Sequence, residues 1–439
     1  MKKRVSNTVC SGVGWLWLAG SFLSLQAQPL PDTALKRCGH VEYEQVLRQR
    51  DPFRRTNIDA LNQKILAFKT QQAQGRTTET IYRIPVVVHV IHYNTSGFIG
   101  GDNNPNISDE QIASQIRVLN EDYRRQEGTP GFNTDPVGAD MGIEFFLAQT
   151  DPNGRSTTGI TRHYNAKESF DVFRDDVLLS QIAYWPSDRY LNIWVAPLAN
   201  NYLGIAQFPE GGTTIPGLSV GETNEFTDGV IIDYRYFGRS IGTVRNSTYC
   251  CGRTTTHEIG HWLGLIHTWG DSVCGDDYVA DTPPTERANQ TTQCTQTFSN
   301  CNNVRTRNQI ENYMDYSPDR CMNLFTQGQR NRVRAVLTLS PRRQRLLRSL
   351  ESLPQTETLT LQLSPNPADA EAIADVLFTG FKTFTLRVLD LNGRLIRSVQ
   401  YTDVPSTRVF LPVFGLPTGM YVVQVTTDSE KISSRLLVR

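Results

Sequence analysis

The sequence predicts an α+β domain followed by a smaller all-β domain, and three observations support this prediction. A nearly continuous apolar run at 81–91 is typical of a strand buried inside a sheet. Helical periodicity follows, first after Ser108 and again at 253–266. From residue 359 onward, apolar and polar residues alternate over short runs, which is typical of half-buried strands.

The chain starts with the pattern of a signal peptide. Three basic residues at 2–4 precede an apolar run at 13–25, and Leu25-Gln26-Ala27 offers a cleavage site with a small residue. We therefore predict a signal peptide at 1–27. Export places the protein in a compartment where disulfides form.

Overall charge and hydropathy exclude some classes of partner. The chain of 439 residues has 44 basic and 44 acidic residues, so charge gives no argument for nucleic acid or an anionic membrane. No segment after the signal peptide reaches the length of a transmembrane helix. We expect neither a nucleic-acid partner nor a transmembrane segment.

Residues 28–75 are polar, and their apolar residues have helix-like spacing. The apolar positions are Val41, Val46, Leu47, Ile58, Leu61, Ile65, Leu66 and Phe68. Arg37-Cys38-Gly39 lies in this stretch. On composition alone, Cys38 is either a spare thiol or half of a disulfide.

The next stretch combines strands with a helix. A capping-box pattern at 108–111 predicts a helix that continues to about Arg125. Strands are expected around 143–148, 190–196 and 229–234. His89 and His92 fall in or beside the buried strand at 81–91, so we interpret them as structural. This order of elements is α+β.

The strongest chemical pattern is His-Glu-x-x-His-x-x-Gly-x-x-His at 257–267. Because His257 and His261 are four residues apart, a helix presents both imidazoles on one face. Gly264 can end the helix in a left-handed conformation, so that His267 arrives from another direction. Three neutral imidazoles suit zinc and leave a fourth position open to water, as in catalytic sites. Glu258 lies beside them.

The helix carrying this pattern also has expected ends and an expected core face. Hydroxyls in Arg253-Thr254-Thr255-Thr256 are candidates to cap its start. Its apolar face consists of Ile259, Trp262, Leu263 and Ile266. Two further helices, rich in basic residues, are predicted at 327–339 and 341–350.

A loop-rich region with little periodicity follows His267 and contains four cysteines, Cys274, Cys294, Cys301 and Cys321. An exported region of this kind needs disulfides. The loop at 276–282 has oxygen ligands suited to calcium, and a solvated acidic loop is the alternative. The candidate calcium ligands are Asp276, Asp277, Val279, Asp281 and Thr282. Cys250 and Cys251 form a vicinal disulfide, pair elsewhere or stay reduced, and the sequence leaves all three possibilities open.

Together with Asn312-Tyr313-Met314-Asp315-Tyr316, the histidine motif resembles the metzincin zinc proteases. Three further stretches, at 267–271, 279–283 and 321–326, resemble the pappalysin (cytophagalysin) branch. The resemblance covers about residues 80–350. It implies a twisted sheet over two long helices, with the zinc cleft between subdomains.

The resemblance also implies roles for single residues. Met314 is expected to form an apolar floor beneath the zinc, and the Tyr316 phenol to support the tetrahedral intermediate. Arg37-Cys38-Gly39 resembles the cysteine switch of zymogens, in which the thiolate of Cys38 takes the zinc position that water needs. Asp319 is expected at the base of the pocket for the residue just after the scissile bond, where it would favour Arg or Lys.

The family resemblance further implies disulfides Cys274–Cys301 and Cys294–Cys321, and a calcium ion bound nearby. It also nominates a maturation site. Gly75-Arg76, in the polar junction before the first strand, places an arginine just after a bond that the enzyme itself could cut.

After 354–358, the C-terminal segment resembles the sorting domain of the type IX secretion system. The similar stretches are 364–368, 389–394, 416–421 and the terminal 436–438. The Asn392-Gly393 pair predicts a hairpin between 384–389 and 395–401. The resemblance implies an immunoglobulin-like β-sandwich. A carbohydrate-binding or adhesive domain is the alternative.

These predictions divide the chain into a signal peptide (1–27), a propeptide (28–75), a metzincin catalytic domain (76–353) and a sorting domain (354–439). The predicted function is that of a secreted zinc endopeptidase made as a zymogen, with Glu258 as general base. Its expected partners are peptide or protein substrates and the type IX machinery. Its expected location is the medium or the outer-membrane surface of a Gram-negative bacterium. The alternative is an inactive binding protein or adhesin on the same scaffold, but the presence of Glu258 favours the enzyme.

Overall fold

The computed structural model describes residues 35–72, 81–155, 157–211, 213–215, 218–220, 224–352, 358–378, 382–404 and 407–439. The predicted signal peptide at 1–27 and the predicted maturation site Gly75-Arg76 lie outside these ranges. Within them, no helix combines the length and the apolar character needed to cross a membrane.

Two helices, α1 (His40–Arg50) and α2 (Arg54–Gln72), form the first part of the described chain. They bury Leu47, Leu61 and Ile65, three of the apolar positions that predicted helices here. Leu66 is instead exposed. Residues 35–72 lie within the predicted propeptide, and we refer to them as the pro-segment.

The central sheet is built around the long strand that the apolar run predicted. Among the described residues it contains β1 (Tyr82–His92), β2 (Ile143–Leu147), β3 (Ile160–Tyr164), β4 (Leu191–Ala196), β5 (Gly204–Ala206) and β8 (Gly229–Asp233). The order is β2-β1-β4-β8-β5, with β3 beside the second half of β1. All pairings are parallel except that of the edge strand β5 with β8. A small hairpin, β6 (Thr213–Ile215) and β7 (Leu218–Val220), precedes β8.

The helices α3 (Asp109–Tyr123) and α5 (Arg253–Trp262) share one core with this sheet. Ser108 caps α3 by accepting the Gln111 N–H at 3.2 Å. The side-chain Nε2 of Gln111 donates to the backbone carbonyls of Tyr234 and Phe237. These bonds fix the chain after β8 against α3. A short helix, α4 (Asp176–Ile182), lies between β3 and β4 in sequence.

Most of the loop region after α5 has no regular structure apart from the hairpin of β9 (Phe298–Cys301) and β10 (Val304–Arg307). Two helices follow, α6 (Gln327–Leu339) and α7 (Pro341–Ser352). Both match the predicted helical stretches within two residues. The capping box of α6 is complete, with Thr326 and Gln329 bonded reciprocally.

The remaining described residues form a β-sandwich with its own core. Its strands are β11 (Thr360–Ser364), β12 (Glu371–Leu377), β13 (Lys382–Asp390), β14 (Leu395–Val404), β15 (Thr407–Pro412), β16 (Gly419–Thr426) and β17 (Lys431–Val438). They form the antiparallel sheets β11-β12-β15 and β14-β13-β16-β17. Inward residues of both sheets share one cluster, for example Val376 and Leu386. The predicted fold class, α+β followed by a small all-β sandwich, is confirmed.

Candidate metal centre

Helix α5 brings two of the predicted histidines together. His257 and His261 are fully buried, and their Nε2 atoms lie 3.1 Å apart. The spacing of four residues puts both rings on the same face of the helix. Both imidazoles therefore point to one place.

His267 reaches the same place because the chain turns sharply after α5. Gly264 has a φ of +88°, which glycine adopts without strain, and its N–H donates to the His261 carbonyl at 2.8 Å. A side chain at Gly264 would also meet Val336 Cγ2 at 2.7 Å. Nε2 of His267 then lies 3.1 Å from Nε2 of His261. The turn expected at Gly264 is present.

Each of the three imidazoles is oriented by a hydrogen bond from its outer nitrogen. The Nδ1 atoms bond to oxygens of Tyr313 (2.7 Å, from His257), Leu265 (2.8 Å, from His261) and Asp271 (from His267). These bonds place the protons on Nδ1, so every Nε2 presents a lone pair. Converging lone pairs repel one another unless a cation lies between them. This donor set fits zinc.

Burial keeps the two helix imidazoles in the neutral form that binds a metal. Removal from water lowers the pKa of His257 and His261 well below 6.5, and neighbouring imidazoles lower it further. Burial also raises the pKa of Glu258 to about 8. Its Oε1 has no hydrogen-bond partner among the described residues. Its other oxygen, Oε2, lies 3.5 Å from Sγ of Cys38.

Met314 packs against α5 at Gly260, and its expected place beneath a zinc ion stays a prediction. It is fully buried, and a side chain added at Gly260 would collide with its sulfur. The Met314 carbonyl accepts the Thr268 N–H at 3.3 Å. The preceding carbonyl, of Tyr313, is the one that orients His257. Tyr313 and Met314 thus bond to His257 and to Thr268, the residue that follows His267.

Cys38 of the pro-segment lies at the same three histidines. Its Sγ and their ring nitrogens are all within 4.8 Å of one another. Within the described part of the chain, these four side chains are the group able to share one metal ion. The thiol is 3.5 Å from Glu258 Oε2, and burial and this carboxyl raise the pKa of Cys38 well above 9.0. A thiolate would complete a tetrahedral set of donors.

The backbone around Cys38 is fixed along the edge of the central sheet. Lys36 and Gly39 exchange hydrogen bonds of 2.9 to 3.1 Å with residues 201–204, next to and including the start of β5. Lys36 pairs in parallel with Tyr202. A side chain at Gly39 would come within 2.8 Å of Ile205 Cγ2. Glycine after the cysteine is therefore needed for this close approach.

Asp319 is buried and lies between the pro-segment and the start of α5. Its Oδ1 accepts a hydrogen bond of 3.0 Å from Arg37 Nη1, and both side chains are 1% exposed. Its Oδ2 accepts the backbone N–H groups of Cys251 at 2.9 Å and Arg253 at 3.2 Å. Asp319 therefore binds a guanidinium and also caps α5.

The expectation that threonine hydroxyls cap α5 is wrong. The helix begins at Arg253 after Gly252, and the N-cap has no side-chain bond. Thr254, Thr255 and Thr256 lie inside the first turn. Among the described residues the hydroxyls of Thr254 and Thr255 have no hydrogen-bond partner, and the hydroxyl of Thr256 donates to Asp122 at 2.8 Å. The carboxylate that caps α5 in their place belongs to Asp319, which lies 66 residues from Arg253 in the sequence.

Tyr316 lies beside His257 and His267. Its hydroxyl donates to the Cys38 carbonyl at 3.4 Å, and its ring is 5.1 Å from that of His267. A phenol that reaches the carbonyl of the residue at the metal position could reach a substrate carbonyl in the same way.

Sequence reasoning missed three neighbours of the site. Asp271 orients His267 and could have been found, since it lies four residues after that histidine in the 267–271 stretch. The ring of His40 stacks on His261 at a centroid distance of 4.1 Å. Arg37 belongs to a motif that we singled out, but nothing in the sequence linked it to Asp319.

The cysteines after α5 form the pairs Cys274–Cys301 and Cys294–Cys321, as the resemblance implied. Cys250 and Cys251 form a vicinal disulfide, one of the three possibilities left open. Cys38 is a free and buried thiol.

The carboxylates of the predicted calcium loop do not converge. Asp277 accepts the Thr282 hydroxyl at 2.7 Å, while Asp281 accepts the Thr326 hydroxyl at 2.7 Å and the Gly328 N–H at 2.8 Å, at the start of α6. The other two candidates, Asp276 and Val279, accept from Tyr278 N–H and Thr282 hydroxyl respectively. Asp276, Asp277 and Val279 therefore bond within the loop, whereas Asp281 bonds to the start of α6. Calcium at 276–282 stays a prediction.

Two family patterns match the chain. Residues 175–338 match the peptidase family described as pregnancy-associated plasma protein-A, and residues 362–439 match the secretion system C-terminal sorting domain. An extracellular metalloprotease of Coccidioides posadasii is 30% identical over 52% of this chain and 69% of its own length. One from Arthroderma otae is 32% identical over 55% of this chain and 74% of its own.

Two solved structures are similar to more than half of this chain. Promirolysin of Tannerella forsythia, in a mutant form, is 37% identical, with a TM-score of 0.58 over 72% of this chain and 99% of that chain. Mature mirolysin of the same organism, in complex with a cleaved peptide, is 41% identical, with a TM-score of 0.53 over 63% of this chain and 98% of that chain.

Proposed function

Since this chain belongs to the pappalysin family of metzincin-like zinc metalloendopeptidases, we propose that it hydrolyses peptide bonds with Glu258 as general base and His257, His261 and His267 as zinc ligands. The chain is a secreted zymogen with a C-terminal sorting domain. The observation that carries the proposal is the convergence of three Nε2 lone pairs beside the unpartnered Oε1 of Glu258. The alternative of an inactive binding protein is not favoured by these relatives.

The residues of the site have distinct tasks in this reaction. A bound zinc ion supplies a Lewis acid that lowers the pKa of water and polarises the peptide carbonyl. Glu258 accepts the proton of the attacking water on its carboxylate and delivers it to the nitrogen of the leaving amine. The Tyr316 hydroxyl donates a hydrogen bond to the oxygen that becomes negative. The Nδ1 partners of the histidines hold the ligands in position.

Latency is proposed to come from Cys38. Its thiol lies 3.5 Å from Glu258 Oε2, so it occupies the space between the general base and the metal position. Water cannot enter while the thiol is there. The backbone bonds of Lys36 and Gly39 to residues 201–204 hold the thiol in this position.

A preference for Arg or Lys just after the scissile bond is proposed for the pocket at Asp319. Support comes from its present occupant, since Arg37 places its guanidinium on the Asp319 carboxylate. A buried carboxylate without a cation is costly, so an apolar substrate side chain would be rejected.

We further propose the domain division 1–27, 28–75, 76–353 and 354–439. In the described residues, α2 ends at Gln72 and β1 begins at Tyr82, so a cut at Gly75-Arg76 would separate the pro-segment from the sheet. In the same way α7 ends at Ser352 and β11 begins at Thr360. Cleavage near 354 would leave both domain cores intact.

Replacement of Glu258 by alanine tests the proposed function. We expect kcat/KM on a peptide substrate to fall by about a hundred- to ten-thousand-fold, because the general base is lost. Zinc content, measured by atomic emission on the purified protein, should stay at that of the wild type, because Glu258 is not a ligand. Glu168→Ala, which changes an exposed carboxylate, is the matched control. Turnover retained in Glu258→Ala would reject the assignment.

A further inference from the structure

Arg37 of the pro-segment fills a buried pocket beside the metal centre. Its Nη1 donates to Asp319 at 3.0 Å, and its Nη2 lies 3.2 Å from the sulfur of Met322. The next residue, Cys38, lies at the three histidines. The pocket therefore receives the side chain of the residue next to the one at the metal position. Arg37 shows how a guanidinium is held in this pocket.

Tyr249 forms one wall of this pocket. Cζ of Arg37 lies 4.8 Å from the centroid of the Tyr249 ring, within the range of a cation–π contact. The ring is largely buried and packs edge-on against Tyr236. A planar guanidinium contacts the carboxylate with one nitrogen and covers the ring with its face. A lysine ammonium is a compact point charge, so it can pair with Asp319 without covering the ring in this way.

The loop that carries Tyr249 is tied directly to Asp319. The Thr248 carbonyl accepts the Asp319 N–H at 2.9 Å, and Cys251 N–H donates to the Asp319 carboxylate at 2.9 Å. Tyr249 and Cys250 lie between Thr248 and Cys251 in the chain, and Cys250 forms a disulfide with Cys251. A bond between adjacent cysteines closes a small ring and removes conformational freedom from the backbone next to Tyr249.

We propose that Tyr249 is a specificity-determining residue that favours Arg over Lys just after the scissile bond, and that the Cys250–Cys251 disulfide is a positioning element for it. The proposal rests on the proposed peptidase function and on Asp319 as the base of the pocket. It adds a distinction between two cations that the carboxylate alone does not make.

The test uses the mature enzyme and two fluorogenic peptides that differ in one residue, Arg or Lys just after the scissile bond. Both are cleaved in the same tube, so the Arg-to-Lys ratio of kcat/KM does not depend on the fraction of active enzyme. For Tyr249→Leu we expect this ratio to fall about tenfold. Tyr249→Phe keeps the aromatic face and should keep most of the ratio.

Tyr202→Leu is the matched control for loss of an aromatic ring. Tyr202 also faces a cation of the pro-segment, since Nζ of Lys36 lies 4.6 Å from its ring centroid, and its ring packs edge-on against Phe173 at a centroid distance of 5.0 Å. Its ratio should equal that of the wild type. An unchanged ratio in Tyr249→Leu, or an equal fall in Tyr202→Leu, would overturn the proposal.

The disulfide is tested with the Cys250→Ser, Cys251→Ser double variant. We expect its ratio to approach that of Tyr249→Leu, with no further fall when all three changes are combined, because they act through the same ring. If the double variant does not fold, brief reduction and alkylation of the wild-type enzyme replaces it. Mass spectrometry then confirms that Cys274–Cys301 and Cys294–Cys321 are intact. An unchanged Arg-to-Lys ratio in enzyme without this disulfide would refute the positioning role of Cys250–Cys251.

The outcomes separate this proposal from the function on which it rests. A third peptide, with Leu just after the scissile bond, tests the pocket itself. A wild-type enzyme that cleaves all three peptides equally would refute the pocket at Asp319, and an enzyme that cleaves none would refute the proposed function. A wild-type preference for Arg that survives Tyr249→Leu would refute the role of Tyr249 alone.

Discussion

Asp319 is a single buried side chain that connects the proposed specificity pocket with the start of α5. One carboxylate oxygen pairs with Arg37, and the other accepts two N–H groups at the start of α5. Replacement by alanine would remove both functions at once. Replacement by asparagine removes the charge but keeps an oxygen for the backbone.

We therefore expect Asp319→Asn and Asp319→Ala to differ in stability and to agree in specificity. Both should lose the preference for Arg or Lys, because neither carries a negative charge. Alanine should lower the free energy of unfolding of the mature enzyme by about 1 kcal/mol or more through loss of the helix cap, and asparagine by less. Denaturant unfolding and peptide cleavage profiles measure the two effects. A basic preference that persists in Asp319→Asn would contradict the proposed pocket.

Site residues that lie close together in the sequence could be predicted from it. The histidine positions at 257–267 follow from the helical period and from Gly264, and the structure brings all three rings together. The cap of α5 could not be predicted, because Asp319 lies 66 residues from Arg253. The threonines at 254–256 were a plausible local alternative, and the fold supplied a better placed acceptor.

At the level of elements, α5 is anchored at its other end by Asp228. Trp262 Nε1 donates to Asp228 at 2.6 Å, and Arg342 and Arg343 of α7 pair with the same carboxylate at 2.6 and 2.8 Å. Burial by itself would raise the pKa of Asp228. The two guanidinium groups outweigh it and lower this pKa to about 2.

This pairing gives an expected pH dependence. Because the folded pKa of Asp228 lies below the unfolded value of 3.8, its contribution to stability is present above that value and is lost as the pH falls toward 2. The shift corresponds to roughly 2 kcal/mol. Asp228→Asn should therefore unfold more easily at neutral pH and lose less stability between pH 4 and 2.

Asp188→Asn is the control for this measurement. Asp188 pairs at 3.8 Å with Arg345, which also lies in α7, and both side chains are about half exposed. Denaturant unfolding at several pH values should show little change for it. Identical acid dependence in wild type and Asp228→Asn would contradict the account of this anchor.

Long elements with a clear period were predicted, whereas short elements at the edge of the sheet were not. The apolar run at 81–91 and the pattern after Ser108 gave β1 and α3. The edge strand β5 is three residues long and has no period of its own. It nevertheless lines the site, because a side chain at Gly204 would lie 3.1 Å from Cγ of Glu258.

At the scale of the whole molecule, the domain with the metal centre and the C-terminal sandwich have separate hydrophobic cores. Helix α5 and Met314 share a hydrophobic cluster with the central sheet, and the C-terminal sandwich has its own cluster. The sandwich matches the sorting domain, and none of its described residues belongs to the group around Cys38.

Deletion of 356–439 should therefore block export and leave the metal centre intact. We expect the shortened chain to accumulate in the periplasm while it binds zinc as the full chain does. Cell fractionation and zinc analysis measure the two properties. The full-length Glu258→Ala chain, which keeps the sorting domain, is the control for export without activity. Normal delivery of the shortened chain to the surface or medium would favour an adhesive role for the sandwich.

X-ray absorption at the zinc edge, on the full-length proform and on the mature enzyme, tests the central claim most directly. For the proform the account expects three nitrogen ligands and one sulfur at about 2.3 Å, from the three histidines and Cys38. For the mature enzyme and for Cys38→Ser it expects that the sulfur is replaced by oxygen at about 2.0 Å. A proform spectrum without sulfur, or fewer than three nitrogens in the mature enzyme, would contradict it.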